Sequence, residues 1–155
     1  MSLYSTLRKL IYPYKMVIKH IPKNADILDI GCGDAHILND STSLKFNSYT
    51  GIDPKIKVTY SSKNIQIKNE TIEDSIEKID EYNCILMIDV MHHIDKKEQE
   101  KIIKEIILSI KDNTVFIYKD ISVRNKFYSL MNRLHDLFYN FEKINYLNSE
   151  KIISI

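Results

Sequence analysis

Apolar positions along the chain come in short blocks whose period changes from one block to the next. In residues 3–21 (LYSTLRKLIYPYKMVIKHI), Leu3, Leu7, Leu10, Ile11, Tyr14 and Ile18 recur at helical spacing, which predicts one or two helices interrupted near Pro13. Residues 25–30 (ADILDI) are brief, rich in Ile and Leu, and stopped by Gly31-Cys32-Gly33, which predicts a strand followed by a helix opening over 34–40. Residues 48–53 (SYTGID), closed by Pro54, and residues 64–69 (NIQIKN) predict a second and a third strand, with a weak helix near Ile72–Ile79. The run Tyr82–Val90 (YNCILMIDV) is almost continuously apolar, as a central parallel strand covered on both faces would be. Between Lys96 and Ile110, isoleucines at 102, 103, 106, 107 and 110 alternate with Lys and Glu, the pattern of an amphipathic helix. Asn113 ends it, Thr114–Tyr118 (TVFIY) predicts a fifth strand, and Val123–Ile155 reads as helical with a break around Asn145–Asn148.

Alternating strands and helices predict an α/β fold, a doubly wound, mostly parallel sheet of about five strands with right-handed crossovers. The 155 residues, 44% hydrophobic, suffice for one core, so residues 1–155 are expected to form a single domain, with 1–23 as a helical cap. A formal net charge of +1 gives no general drive toward nucleic acid or acidic membranes. The two cysteines, Cys32 and Cys84, lie in apolar surroundings without metal-ligand spacing, which suits a reducing, cytoplasmic setting. Arg8, Lys9, Lys15 and Lys19 interrupt the N-terminal apolar residues, unlike a signal peptide, and no run approaches the roughly 18 apolar residues of a membrane span.

With only 3 Gly in the chain, two of them in one tripeptide, the segment Asp29-Ile30-Gly31-Cys32-Gly33-Asp34 stands out. Glycine there lets the backbone turn tightly and approach a ligand, and the helix that follows offers unpaired N–H groups. About twenty residues beyond Gly33, Asp53 ends the second strand, where a carboxylate can accept hydrogen bonds from ribose hydroxyls. The pair indicates a nucleoside-containing ligand. A dinucleotide fingerprint requires Gly or Ala where this chain has His36, a side chain that obstructs close helix packing and disfavours a nicotinamide oxidoreductase.

These residues resemble the first motif of the class I S-adenosylmethionine-dependent methyltransferases, a Rossmann-like family. ILDIGCGDA follows that motif through Gly33 and has Ala35 where the family usually has Gly; a positive φ at Ala35 would cost about 1 kcal/mol. The resemblance continues from about residue 24 onward. TGIDPK matches the segment whose carboxylate, here Asp53 followed by Pro54, holds the ribose. Within NETI, Ile72 matches the apolar residue on the adenine face, with Glu70 the nearest carboxylate. IDVMHHI resembles the fourth motif, which places Asp89 and Val90 at the methionine end of the cofactor. TVFIYKD resembles the fifth strand, and KFYSLMNRLHDLFYN the helix after it in small bacterial members. The resemblance implies S-adenosyl-L-methionine as cofactor, held by Asp29, Gly31, Cys32, Gly33, Asp53, Pro54, Ile72, Asp89 and Val90. It also implies methyl transfer to an acceptor that the motifs do not identify.

Methyl transfer needs alignment more than acid–base chemistry; where the acceptor loses a proton, His92, His93, Asp120 and His135 are the candidates. Each has a structural reading beside it. One of His92 and His93 is expected to pack beneath the loop, no third ligand accompanies them to hold a metal, and His135 and Asp136 point apart on a helix. Asp29, on an apolar strand, is expected to order the glycine loop through hydrogen bonds. The face of Phe127, Tyr128, Leu130, Met131, Leu134, Phe138 and Phe141 fits either core packing or a lipid or acceptor surface, and the Lys/Glu run at 96–105 is a solvated face. The family normally adds a sixth and seventh strand as a final hairpin, for which this sequence leaves no residues. Thr114–Tyr118 is then expected to be an open edge that a second copy or a partner covers. A cofactor-binding module with weak or no activity of its own is the rival reading.

Overall fold

The computed structural model describes residues 14–39 and 44–120. In chain order these form α1 (Tyr14–Ile18), β1 (Ala25–Ile30), α2 (His36–Asn39), β2 (Phe46–Ile52), β3 (Tyr60–Ser61), β4 (Ile65–Lys68), α3 (Ile72–Ser75) running into a 3₁₀ segment (Ile76–Glu81), β5 (Cys84–Ile88), a 3₁₀ turn (Met91–His93), α4 (Lys96–Ser109) and β6 (Val115–Lys119). The sheet has the order β3-β4-β2-β1-β5-β6. Every pairing is parallel except that of β3 with β4.

Period-two alternation divides the strands between two cores. On one face Leu28, Ile30, Ile52, Ile85 and Met87 pack with Ile79 and with Ile102, Ile103 and Ile106 of α4. On the other, Ala25, Ile27, Tyr49, Cys84 and Leu86 pack with Val17 and Ile21, with Ala35 just before α2 and with Ile37 within it. Both faces are therefore covered, which is why β1 and β5 read as near-continuous apolar runs. The Lys and Glu side chains at 96–105 on α4 are exposed or half-buried, whereas Gln99 among them is fully buried, donating from Nε2 to the carbonyls of Met91 (2.9 Å) and Ile94 (3.1 Å).

The strand count differs from expectation by one. β3 is only two residues long with both side chains exposed, so no apolar alternation marks it. It is made by pairing with β4 across a turn in which the Ser62 N–H donates to Ile65 O at 2.8 Å. α2 also begins later than predicted, because Ala35 at φ 49° lies outside the right-handed helical region. Among the described residues β6 is an edge strand. The helical reading of 123–155, the expectation that the final hairpin is missing, the aromatic face, His135, and residues 1–13 of the cap lie outside the described residues. No helix among the described residues is long and apolar enough to cross a membrane.

Candidate functional site

The carboxyl ends of the adjacent strands β2, β1 and β5 meet at the glycine turn. After Ile30 the chain takes positive φ at Gly31 (69°), Gly33 (51°) and Ala35 (49°). For Ala35 that conformation costs about 1–2 kcal/mol, in the position where the resembling family usually has Gly. The turn is anchored on β2: the N–H groups of Gly31 and Cys32 both donate to Ile52 O, at 2.8 and 3.1 Å. A Cβ on Gly31 would stand 2.4 Å from Val90 Cγ2, so Val90, just past β5, fills the space that the missing side chain leaves. Gly33 is the opposite case, with no described atom within 4 Å of such a Cβ. One glycine is thus required by packing, and the other meets no described atom.

Asp53, half-buried at the end of β2, faces this turn. Its Oδ2 accepts from the Gly33 N–H at 3.0 Å and its Oδ1 from the Lys55 N–H at 2.8 Å. Asn69 braces the loop beyond it, donating from Nδ2 to the carbonyls of Pro54 (3.2 Å) and Ile56 (2.6 Å). Two residues further, Thr71 and Asp74 form a capping box that starts α3 and sets Ile72, partly buried against the α4-side core, at its first position. Glu70 accepts from Ser75 Oγ at 3.1 Å.

Asp29 is buried, and the Tyr49 hydroxyl donates to its Oδ2 at 2.6 Å. Burial pushes its pKa up to about 7, against the downward pull of the Tyr49 bond and with the charge of Asp53 adding to the rise. Its hydrogen bond thus ties β1 to β2 beneath the turn. Burial, with the charges of Asp29 and Asp53, pushes the Cys32 thiol up to about 12. A thiol that stays protonated is not a nucleophile, so Cys32 contributes backbone and bulk.

At the end of β5 the backbone turns through Asp89 at φ 56°. Its N–H donates to Lys119 O at 2.7 Å, and the Lys119 ammonium bonds both carboxylate oxygens, at 2.6 Å for Oδ1. Burial raises the Asp89 pKa, with Lys119 opposing the rise. The next residue of β6's end, Asp120, holds the 3₁₀ turn: Oδ2 accepts from the His92 N–H at 3.1 Å and Oδ1 pairs with His92 Nδ1 at 2.7 Å. His92 is 3% exposed and His93 is exposed, their rings tilted with centroids 4.1 Å apart. Burial, then the charges of Asp120 and Asp89, holds the Tyr118 phenol above its ordinary range.

The structure therefore brings together Asp29, Gly31, Cys32, Gly33, Asp53 and Pro54 at the ends of β1 and β2, with Val90 against them from β5 and Asp89 beside it. Ile72 stands at the start of α3, beyond β4. Of the acid–base candidates, His92 and Asp120 are bonded to each other, while His93 faces outward. Asn69, Gln99 and Lys119 were not singled out from the sequence, since a polar side chain that braces a loop carries no local pattern. Among the described residues no group of three or more His, Cys, Asp or Glu side chains could hold a metal ion.

A family model described as a methyltransferase domain matches residues 7–155. No curated protein matches the chain in sequence. Several solved structures share its fold. A protein from Listeria monocytogenes described as an S-adenosylmethionine-dependent methyltransferase is 22% identical, with a TM-score of 0.52 over 66% of this chain and 51% of that one. An O-methyltransferase family protein from Burkholderia thailandensis is 12% identical, with a TM-score of 0.58 over 97% of this chain and 50% of that one. The plantazolicin methyltransferase BpumL, solved with a substrate analogue and S-adenosylhomocysteine, is 18% identical, with a TM-score of 0.50 over 83% of this chain and 50% of that one. The chain spans about half the length of each of these proteins.

Proposed function

Because the chain belongs to the methyltransferase-domain family, we propose that it binds S-adenosylmethionine at the carboxyl ends of β1, β2 and β5 and supports methyl transfer to an acceptor. The observation that carries this reading is the pairing of Gly33 with Asp53. A glycine with no described atom within 4 Å of its side-chain direction lies one 3.0 Å hydrogen bond from a half-buried carboxylate at the end of the neighbouring strand. Open α/β sheets bind ligands at this place, in the crevice outside the strand ends.

The residues present fit the cofactor. Asp53 has acceptor capacity beyond its two backbone bonds for ribose hydroxyls, and Pro54, held by Asn69, keeps the loop after it in place. Ile72 offers an apolar edge for the adenine. Asp29 and Asp89 put acidic groups on the side where a sulfonium and an ammonium would lie, while Gly31, Cys32 and Val90 shape the wall between them. His36 Nε2 lies 3.3 Å from Asp34 Oδ2 at the start of α2, so a bulky ring stands where a dinucleotide site needs a small residue.

When bound, the cofactor supplies a methyl group on a good leaving group, and the protein's part is to align the acceptor and exclude water. His93, exposed at the mouth of the β5 turn, is the candidate to take a proton where the acceptor loses one. His92 and Asp120 hold one another and support the turn.

Isothermal titration with S-adenosylhomocysteine and, separately, NAD tests the reading. Binding of the first and not the second is expected, accompanied by a rise in melting temperature. A folded protein that shows neither at millimolar S-adenosylhomocysteine would overturn it.

A further inference from the structure

Two adjacent residues at the end of β6 grip two residues of the turn after β5. Lys119 takes Asp89 through its ammonium and its carbonyl, and Asp120 takes the His92 ring and backbone N–H. Between the gripped residues stands Val90, whose methyl carbons occupy the space beside Gly31. From the α4 side Gln99 closes the same turn by donating to Met91 O and Ile94 O. The turn is thus held from two elements, and it meets Gly31 of the glycine loop through the apolar side chain of Val90.

We infer that Lys119 and Asp120 are positioning residues of the cofactor site: the Lys119–Asp89 and Asp120–His92 bonds hold Val90 under Gly31 and so set the height of the glycine loop. This rests on the proposed binding of S-adenosylmethionine. Asp89 holds a left-handed φ of 56°, a conformation rare for a residue with a side chain, and such backbone persists only where its surroundings over-determine it. Burial raises the Asp89 pKa; of the charged groups acting on it, Lys119 and His92 oppose the rise, Lys119 the more strongly, and Asp120 adds to it. Removing the ammonium therefore both loosens the turn and takes away the largest pull favouring the charged form of Asp89.

The test compares Lys119→Met, Lys119→Arg and Asp120→Asn with the wild type, measuring S-adenosylhomocysteine affinity by titration between pH 5.5 and 8.5 and folding by circular dichroism. Lys119→Met should bind about tenfold more weakly, the scale of one lost charge-assisted hydrogen bond. Its pH profile should also depart from the wild type's, which carries the titration of Asp29, and Lys119→Arg should restore both affinity and profile. Asp120→Asn retains one oxygen but cannot accept from both His92 groups in the same way, and should weaken binding. Val90→Ala, which leaves every charge in place, should weaken binding at all pH values. If Lys119→Met fails to fold, the Asp120→Asn and Val90→Ala variants decide the matter. Wild-type affinity in folded Asp120→Asn and Val90→Ala, or full affinity with the wild type's own pH profile in Lys119→Met, would refute the inference. A wild-type protein that does not bind at all refutes the proposed function instead.

Discussion

Gly31 and Gly33 differ by one position within the turn, and alanine at each should do different damage. At Gly31 the φ of 69° costs an L-residue about 1–2 kcal/mol. The new Cβ would also lie 2.4 and 2.9 Å from the two Val90 methyl carbons, closer than such atoms approach. Val90 cannot swing away cheaply, since Asp89 on one side and His92 on the other are both held, so overpacking adds about 1–3 kcal/mol. Gly31→Ala should therefore lose about 2–5 kcal/mol of stability, a large share of what a domain of this size has. At Gly33 the φ of 51° carries a similar conformational cost, but no described atom lies within 4 Å of the added carbon. That variant should lose only about 1–2 kcal/mol, and its methyl group should protrude where the ligand is proposed to lie. Urea denaturation gives the stabilities and titration with S-adenosylhomocysteine the affinities. In the double variant Gly31→Ala/Val90→Ala the two methyl clashes should be relieved and part of that steric cost recovered, the Cβ of residue 90 remaining 3.2 Å from the added carbon. Equal destabilisation of the two single variants would refute the packing argument, and unchanged affinity in Gly33→Ala would show that the open side of the turn faces no ligand.

Asp53→Ala should weaken S-adenosylhomocysteine binding by about 1–3 kcal/mol, because an acceptor for ribose is lost along with the bond that positions the Gly33 N–H; wild-type affinity by titration would mean the ribose carboxylate lies elsewhere. Asp29 ionises near 3.8 when unfolded and near 7 when folded, so the native state binds more protons between those values and stability should fall as pH rises through that window. The fall is at most about 1.4 kcal/mol per pH unit, levelling above pH 7, and Asp29→Asn should flatten it in pH-dependent urea unfolding; an unaltered profile would remove Asp29 as its source. Tyr49→Phe deletes the 2.6 Å donor to that buried acid and should cost about 1–3 kcal/mol above pH 7, which thermal melts of the two proteins compare directly.

The local features of this chain were legible because local physics decides them. Ile-rich β1 was bounded by the glycines that end it, β5 announced its burial by an unbroken apolar run, and the isoleucines of α4 marked its inward face. The placement of Gly31, Gly33 and Asp53 was likewise legible, since a tight turn needs particular residue types at particular spacing. Tertiary structure decided what sequence distance hides. His92 and Asp120 were each noticed singly, yet their bond joins residues 28 positions apart, and Lys119 meets Asp89 across 30. β3 exists because β4 offers it a partner, not because its two exposed residues favour a strand. Gln99 is polar within a charged run and is buried all the same, its amide hydrogens taken by the carbonyls of the β5 turn. For the His92–Asp120 and Lys119–Asp89 bonds the deciding energy is a pairing between distant segments, set by strand order and register, and no short window of the sequence contains both halves; for β3 and Gln99 the partners are near in sequence, but only the folded turn brings their polar groups together.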